Sequence, residues 1–269
     1  MLTMLRENPE IIRADEIETP EEFSGKVRTY SIRYRSDECE VEGYAAAPAE
    51  GEGPYTAIIY NRGGNREFGC LKPEAVCRFA AHGYVVLGSQ YRGNCGGTGQ
   101  EEFGGSDIRD VIHLTDLALA LPCVQKEGVY MAGRSRGGMM TYKACTLDGR
   151  IKAAAVLAGL ADSVMMYELR EDSMKQVYHE LVGGSPEECP EAFRERSAVC
   201  WADKIIPPIL ICQGTADWRV APEQAYKMKD ALDAAGKESK LIVYEGADHS
   251  LQDTPSVEEA VKWFEQHPF

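Results

Sequence analysis

A serine set between glycines is the clearest chemical signal in this chain, in the run Gly-Arg-Ser-Arg-Gly-Gly at positions 133–138. The apolar residues 129–132 before it predict a short buried strand, and a helix is expected to begin near Met139. Where a strand, Gly-x-Ser-x-Gly and a helix follow one another, the chain turns so tightly that the serine hydroxyl projects above the sheet. The glycines lack the Cβ atoms that would collide with neighbouring elements. Ser135 is therefore the candidate nucleophile.

A serine hydroxyl is a poor nucleophile unless a base lies within hydrogen-bond distance of it. Of the five histidines, His249 has the best setting, because it lies in a loop between the predicted buried strand 241–244 and the last predicted helix. Asp217 follows the predicted buried strand 209–212 and is expected to orient the histidine from the same end of the sheet. Asp162, in the loop after another such strand, is the alternative acid. The chain order Ser, Asp, His is that of α/β-hydrolases.

Acyl transfer also needs hydrogen-bond donors for the charge that develops on the carbonyl oxygen. The backbone N–H of Arg136, directly after the candidate nucleophile, is expected to supply one of them. The second is expected from the loop after the predicted strand 56–60, as a backbone N–H of Arg62 or Gly63. A plain turn is the alternative interpretation of that loop, and the Arg62 guanidinium could instead bind a substrate carboxylate.

Continuous apolar runs alternate with amphipathic helical segments along most of the chain. Such runs are typical of parallel strands buried on both faces, so we predict an α/β-hydrolase fold with a mostly parallel, doubly wound sheet. Residues 1–25 are expected to form a helical or irregular arm, and residues 26–269 the α/β-hydrolase domain. Helical segments and Gly/Pro turns at about 160–205 break the alternation and predict a small helical cap over the carboxyl ends of the strands.

The overall charge excludes several classes of partner. With 29 basic and 43 acidic residues the formal charge is −14, which argues against nucleic acid and anionic membranes.

No apolar run approaches the roughly 18 residues that a membrane span needs. No secretory signal is evident at the N-terminus, and nine cysteines without Cys-x-x-Cys spacing are typical of free thiols in a reducing cytoplasm. We expect a cytoplasmic enzyme with no metal or cofactor, and the sequence leaves a homo-oligomer open.

Charged residues between the predicted oxyanion-binding loop and the Gly-x-Ser-x-Gly motif have structural interpretations. Arg92 and Asp110 are expected to form an ion pair that braces the sheet rather than to bind substrate. Glu101 and Glu102 are expected to lie on a solvated face, with binding of a substrate amine as the alternative.

Four blocks of sequence together resemble the catalytic domain of the prolyl oligopeptidase family of serine hydrolases. They lie at 91–99, 107–111, 133–141 and 207–220. The resemblance covers about residues 55–269 and implies that Ser135, Asp217 and His249 are nucleophile, acid and base. The chain departs from the family in two ways: only about 50 residues stand where the family's peptidases carry a β-propeller, and Arg62 stands where some members have a tyrosine that donates to the oxyanion.

Without a propeller, small carboxylic esters are expected as substrates, hydrolysed through an acyl-enzyme on Ser135. Cleavage of short peptides is the close alternative, because the same groups serve both reactions. A non-catalytic scaffold would predict loss of a triad residue, and dienelactone-type hydrolysis would favour Cys at position 135; carbon–carbon hydrolysis also stays open. We expect the cap residues Met165, Met166, Tyr167 and Trp201 to line part of the cleft and to set the acyl specificity. Tyr91 and Trp218 are expected to contact the substrate as well.

Overall fold

A mixed sheet of nine strands runs through the computed structural model, which describes residues 1–269. Along the chain the strands are β1 (Ile11–Ile17), β2 (Val27–Ser36), β3 (Cys39–Pro48), β4 (Tyr55–Asn61), β5 (Val85–Ser89), β6 (Val124–Arg134), β7 (Ile151–Leu157), β8 (Ile209–Gly214) and β9 (Ser239–Tyr244). The helices are α1 (Leu2–Glu7), α2 (Pro73–Ala80), α3 (Ile108–Ala120), α4 (Arg136–Leu147), α5 (Ser163–Leu169), α6 (Asp172–Leu181), α7 (Pro190–Glu195), α8 (Glu223–Ala234) and α9 (Ser256–Glu265). None of these helices combines the length and apolarity needed to cross a lipid bilayer.

The strand order across the sheet is β1-β2-β3-β5-β4-β6-β7-β8-β9. The first three strands and the β3–β5 pair are antiparallel, and every pair from β5 to β9 is parallel. The predicted mostly parallel, doubly wound sheet is thereby confirmed. Because the parallel strands all end at the same edge, the loops after β4, β6, β8 and β9 meet there.

Two hydrophobic cores, one on each face, hold the sheet between its helices. Ala57 and Ile59 of β4 belong to a cluster of 48 buried residues that also includes apolar side chains of α3, α4 and α8. Ile58 and Tyr60 of the same strand belong to a cluster of 24 on the opposite face, together with α2 and α9. Successive side chains of a strand point to opposite faces. A strand covered on both faces is therefore apolar at every position, which is the pattern seen in the sequence.

The N-terminal residues 1–25, expected as a helical or irregular arm, contain the helix α1 and the strand β1. Leu5 of α1 is fully buried in the larger core, and β1 pairs antiparallel with β2 as the edge strand of the sheet. Only Ile11 and Ala14 of β1 are buried. An edge strand keeps much of its surface in water and so lacks a continuous apolar run. That composition concealed the strand.

Helices α5 to α7 lie between β7 and β8, in the stretch where a cap was expected. An aromatic cluster holds them together: the rings of Tyr178 and Phe193 stack with centroids 4.9 Å apart, and Tyr167 meets Phe193 edge-on at 5.6 Å. Phe103, in the loop before α3, packs on Tyr178 at 5.3 Å. The Arg196 guanidinium donates to the Phe103 carbonyl oxygen at 2.9 Å. These contacts fix the segment to the main domain.

Replacing Leu5 tests whether α1 belongs to the core. Deleting the side chain of a fully buried leucine costs about 2–5 kcal/mol of unfolding free energy, so Leu5→Ala should lower the midpoint of urea unfolding clearly. The matched control Leu147→Ala changes a leucine that is 59% exposed and should cost less than about 0.5 kcal/mol. Equal and small effects of the two substitutions would contradict the packing described for α1.

Candidate active site

Ser135 lies in the turn between β6 and α4 with a strained backbone, at φ 57° and ψ −125°. A positive φ is unfavourable for any residue with a side chain. Close backbone packing enforces it, since a Cβ on Gly133 would collide with the carbonyl of Gly137 and a Cβ on Gly137 with that of Asn61. The Ser135 N–H donates to the Leu157 carbonyl at 3.1 Å. The turn is thus held from both neighbouring strands, β4 and β7.

Asp217 and His249 form a hydrogen-bonded pair in the loops after β8 and β9. His249 Nδ1 lies 2.8 Å from Asp217 Oδ2. The same carboxylate accepts the N–H groups of Arg219 and Val220, each at 2.9 Å, and the Gln213 amide at 3.1 Å. The Asp217 side chain is fully buried, so its orientation is fixed by these donors. A carboxylate on Nδ1 keeps the proton there and leaves Nε2 as the basic nitrogen.

Ser135 and His249 line one cavity of about 660 Å³ at the carboxyl edge of the sheet. The two side chains form no hydrogen bond with each other in this conformation, a contact that commonly tightens only when substrate binds. The histidine loop is tied to the nucleophile turn, because Arg134 Nη2 donates to the His249 carbonyl at 2.7 Å. The alternative acid, Asp162, caps the N-terminus of α5 and lies 3.1 Å from Lys227 Nζ. It does not contact the histidine.

Two backbone N–H groups beside Ser135, those of Gly63 and Arg136, donate no hydrogen bond within the protein. Arg136 is the first residue of α4, where a helix leaves its N–H groups unpaired. Gly63 packs against the nucleophile, since a Cβ built on it would lie 2.9 Å from Ser135 Cβ. Unpaired donors next to a serine hydroxyl can stabilise the oxyanion of an acyl-transfer intermediate.

The Arg62 side chain shapes this loop and is not available for a substrate carboxylate. Its guanidinium is 2% exposed and donates to backbone carbonyl oxygens at 2.9–3.4 Å. These bonds wrap the segment 62–70, called the oxyanion loop below, around the guanidinium. The acceptors are the carbonyls of Gly63, Arg66, Phe68, Gly69 and Gln90.

Of the six residues expected around the cleft, only Met166 lines the cavity. Tyr91 is fully buried, and its hydroxyl donates to the Arg62 carbonyl at 3.0 Å. Tyr167 belongs to the aromatic cluster of α5 to α7, and the Trp201 indole donates to a backbone carbonyl of that segment. Trp218 is 66% exposed.

On α5, Met166 lines the cavity as expected, while its neighbour Met165 does not. The two residues lie about 100° apart around the helix axis, so they face in different directions. The apolar part of the wall also includes Phe103, Leu160 and Met174, while Arg170 and Arg219 contribute charge.

The Arg136 side chain links the nucleophile turn to the oxyanion loop, a role that the sequence analysis missed. Its buried guanidinium forms ion pairs with Glu101 and Asp107 and donates to the Gly64 carbonyl at 3.2 Å. Burial lowers the pKa of the Arg136 guanidinium and raises the pKa of the Asp107 carboxyl, because both charges lose their hydration. The ion pairs offset that cost only while all partners are present.

Glu101, expected on a solvated face, is buried in this network. Its Oε2 accepts the Arg66 N–H at 2.7 Å and the Asn94 amide at 2.9 Å, so it too holds the oxyanion loop. The expected ion pair between Arg92 and Asp110 is present, with Nη2 and Oδ1 2.8 Å apart. The sequence signal for the Arg136 network was Arg136 itself, inside the Gly-x-Ser-x-Gly motif. If that side chain points inward, its charge needs buried acidic partners.

The sequence of this chain matches a known protein family and several known proteins. The sequence model of the prolyl oligopeptidase family matches residues 74–267. An uncharacterized peptidase of Bacillus subtilis, YtmA, is 33% identical over 227 residues, which cover 84% of this chain and 88% of that protein. A second uncharacterized peptidase of the same organism, YuxL, is 29% identical over 283 residues, which cover 97% of this chain but 41% of YuxL.

Solved structures share the fold. The acylaminoacyl peptidase of Pyrococcus horikoshii superimposes with a TM-score of 0.78 at 22% identity, over 91% of this chain and 42% of that one. Acetyl xylan esterase 1 of Thermoanaerobacterium superimposes with a TM-score of 0.73 at 16% identity, over 99% of this chain and 92% of that one. This chain therefore spans less than half of YuxL and of the Pyrococcus peptidase. By its family match and its relatives, the protein is a serine hydrolase of the prolyl oligopeptidase family with an α/β-hydrolase fold.

Proposed function

We propose that this protein hydrolyses small carboxylic esters through an acyl-enzyme on Ser135. The observation that carries the proposal is the buried Asp217–His249 hydrogen bond, which shares one edge of the sheet with a strained serine and two unpaired N–H groups. Together these supply a nucleophile, an oriented base and donors for an oxyanion.

In the first half-reaction, His249 Nε2 takes the proton of the Ser135 hydroxyl as its oxygen attacks the ester carbonyl. The N–H groups of Arg136 and Gly63 donate to the oxyanion of the tetrahedral intermediate. The imidazolium, held by Asp217, gives its proton to the leaving alcohol as the C–O bond breaks. Water then repeats the sequence on the acyl-enzyme, releasing the acid and the free serine.

The cavity wall supports an apolar acyl group. The Leu160 N–H donates to the Ser135 carbonyl at 3.0 Å, so that leucine lies next to the nucleophile. Met166 and Met174, on the two helices that follow, and Phe103 extend the same wall. Methionine side chains adapt to ligands of different shape. We therefore expect short aliphatic acyl chains to be accepted.

Cleavage of short peptides is the second candidate, favoured by Arg219. Its guanidinium lines the cavity, stacks on the rings of Phe68 and Trp218 at 5.7 and 5.1 Å, and forms no ion pair. A free cation there can bind a peptide carbonyl or a carboxylate. The names of the relatives include both peptidases and an esterase, so substrate chemistry must be measured.

The triad is tested by three substitutions of nearly unchanged size. Ser135→Ala should abolish ester turnover and labelling by a fluorophosphonate without lowering stability. Asp217→Asn should lower kcat by about 10⁴-fold, because the amide holds the imidazole in the wrong tautomer. The control Asp162→Asn should keep nearly full activity. Loss of turnover in Asp162→Asn with activity retained in Asp217→Asn would refute this assignment of the acid.

Ester and amide preference is tested with one acyl group on two leaving groups. We expect N-acetyl-alanine p-nitrophenyl ester, and simpler short-chain esters, to be hydrolysed while the matching p-nitroanilide is turned over poorly. Arg219→Met should then leave ester kcat/KM nearly unchanged. Comparable kcat/KM for the anilide, with a selective loss in Arg219→Met, would assign the protein to the peptidases instead.

The buried arginine network is tested by Arg136→Met. Removing one partner of a buried ion pair costs about 3–5 kcal/mol of unfolding free energy, because Glu101 and Asp107 then lose their counter-charge. Losing the donor to Gly64 should also loosen the oxyanion loop, so kcat should fall more than KM rises.

Two further variants separate the role of the network from the loss of a surface arginine and from the loss of charge at position 136. Arg13→Met, which removes an arginine that is 51% exposed, should cost less than about 1 kcal/mol. Arg136→Lys keeps the charge but cannot reach both carboxylates and the Gly64 carbonyl, so it should fold with a lowered kcat. Wild-type stability and kcat in Arg136→Met would show that the network does not position the loop.

A further inference from the structure

Two residues of the oxyanion loop, Glu67 and Cys70, meet Cys95 of the loop after β5, apart from the proposed catalytic groups. Cys95 Sγ lies 3.1 Å from Cys70 Sγ. Glu67 Oε2 lies 3.5 Å from Cys70 Sγ and 3.7 Å from Cys95 Sγ. Each pair of these donor atoms is thus within 4.8 Å, the spacing at which three side chains can share one ion.

The fold brings these residues together from two loops. Glu67 and Cys70 belong to the oxyanion loop, whose shape is set by the carbonyls that the Arg62 guanidinium binds. Cys95 lies in the loop after β5, and its N–H donates to Glu67 Oε1 at 3.0 Å. That bond leaves the other carboxylate oxygen facing the two thiols. The arrangement is therefore formed before any ligand arrives.

We propose that Glu67, Cys70 and Cys95 bind a thiophilic divalent cation, with Zn²⁺ as the best match. Two thiolates and one carboxylate provide three tetrahedral ligands, and water provides the fourth. Binding releases the two S–H protons to solvent and leaves three negative ligands around a 2+ ion. Glu67 is exposed and both cysteines are half-buried, so an ion can enter from solvent.

Zinc binding would require only a small rearrangement of the three side chains. Zinc–sulfur bonds of about 2.3 Å in a tetrahedral site place the two sulfurs about 3.8 Å apart. The thiols, now in contact, would separate by rotation of their side chains once deprotonated. With zinc–oxygen bonds of about 2.0–2.2 Å, the same tetrahedral geometry places the carboxylate oxygen about 3.5–3.7 Å from each sulfur. Glu67 Oε2 already lies 3.5 Å from Cys70 Sγ and 3.7 Å from Cys95 Sγ, so the carboxylate needs almost no movement.

A disulfide between Cys70 and Cys95 would need an oxidant, and Glu67 would have no role in it. A carboxylate held against two sulfurs opposes the thiolate that disulfide exchange requires. The same carboxylate favours a cation, which neutralises charge from all three side chains. Metal binding is thus the interpretation in which every member of the group has a chemical role.

A bound ion would join the oxyanion loop to the loop after β5. Because Cys70 also borders the catalytic cavity, the ion would restrain the loop that presents Gly63 to the nucleophile. A ligand that binds only the folded state raises its unfolding temperature. This inference does not rest on the proposed esterase activity, and its test does not measure that activity.

Cobalt(II), a spectroscopic substitute for zinc, tests the site in the reduced full-length protein under anaerobic conditions. We expect one equivalent of Co²⁺ to bind with visible bands of tetrahedral cobalt and a sulfur-to-cobalt charge-transfer band, and one equivalent of Zn²⁺ to displace it. Cys70→Ser and Cys95→Ser should each reduce the charge-transfer band, and the double variant should abolish it. The control Cys200→Ser, at an exposed cysteine outside the group, should leave the spectrum unchanged.

Glu67→Gln provides a variant that keeps both thiols. It should weaken Zn²⁺ binding by more than roughly 10-fold, since losing a direct ligand costs at least as much as losing a group that hydrogen-bonds to a ligand. A charge-transfer band should remain, because both sulfurs are kept. No cobalt binding, or an unchanged band in the double cysteine variant, would overturn the proposal. If that variant does not fold, unchanged Zn²⁺ affinity in Glu67→Gln together with an unchanged band in both single variants overturns it equally.

Discussion

The tight turn from β6 into α4 is the constraint on which the rest of the site depends. Holding a serine at positive φ costs of order 1–3 kcal/mol, and the surrounding structure must supply that energy. Here it comes from hydrogen bonds to β7 and from glycines that let β4 approach the turn. The result is that Ser135 projects toward the cavity and the first N–H of the helix stays free. The proposed nucleophile and oxyanion donor are thus both consequences of one backbone conformation.

Two buried guanidiniums extend that local geometry to the second half of the site. Arg62 holds the oxyanion loop by its carbonyls, and Arg136 ties the same loop to the nucleophile helix through Glu101 and Gly64. A buried charge is costly unless all its partners are in place, so each arginine enforces a single arrangement. The loop proposed to bind an oxyanion is thus held by side chains that are themselves buried. The proposed cation site, which would join that loop to the loop after β5, would add a third restraint.

The parallel strands and the Asp217–His249 pair could be predicted from the sequence because the patterns that indicate them are local. Apolar runs indicate the buried strands, and the loops after parallel strands meet at one edge, so the sequence alone predicts the Asp217–His249 hydrogen bond that the structure contains. Residues placed by tertiary packing were missed. Tyr91 is buried beneath the oxyanion loop, and of the two adjacent methionines expected at the cleft only Met166 lines the cavity, because packing decides which face of a helix points inward.

Charged residues were misjudged for a related reason. Glu101 was expected in solvent, since a carboxylate is rarely buried unless it is paired. Its burial is offset by the ion pair with Arg136, 35 positions along the chain, and by hydrogen bonds from Arg66 and Asn94. The edge strand β1 likewise carries too many polar residues to be recognised as part of the sheet. Glu67, Cys70 and Cys95 have no metal-binding spacing, since the third ligand comes from another loop. Pairings between distant segments are what a single sequence does not show.

Trapping the acyl-enzyme tests the central claim most directly. The protein is mixed with a short-chain p-nitrophenyl ester, quenched in acid within the first turnovers, and analysed by intact and peptide mass spectrometry. The account predicts one acyl group per chain, located on Ser135, which disappears as the ester is exhausted. Ester hydrolysis without an adduct on Ser135, or with the acyl group on another residue, would contradict it.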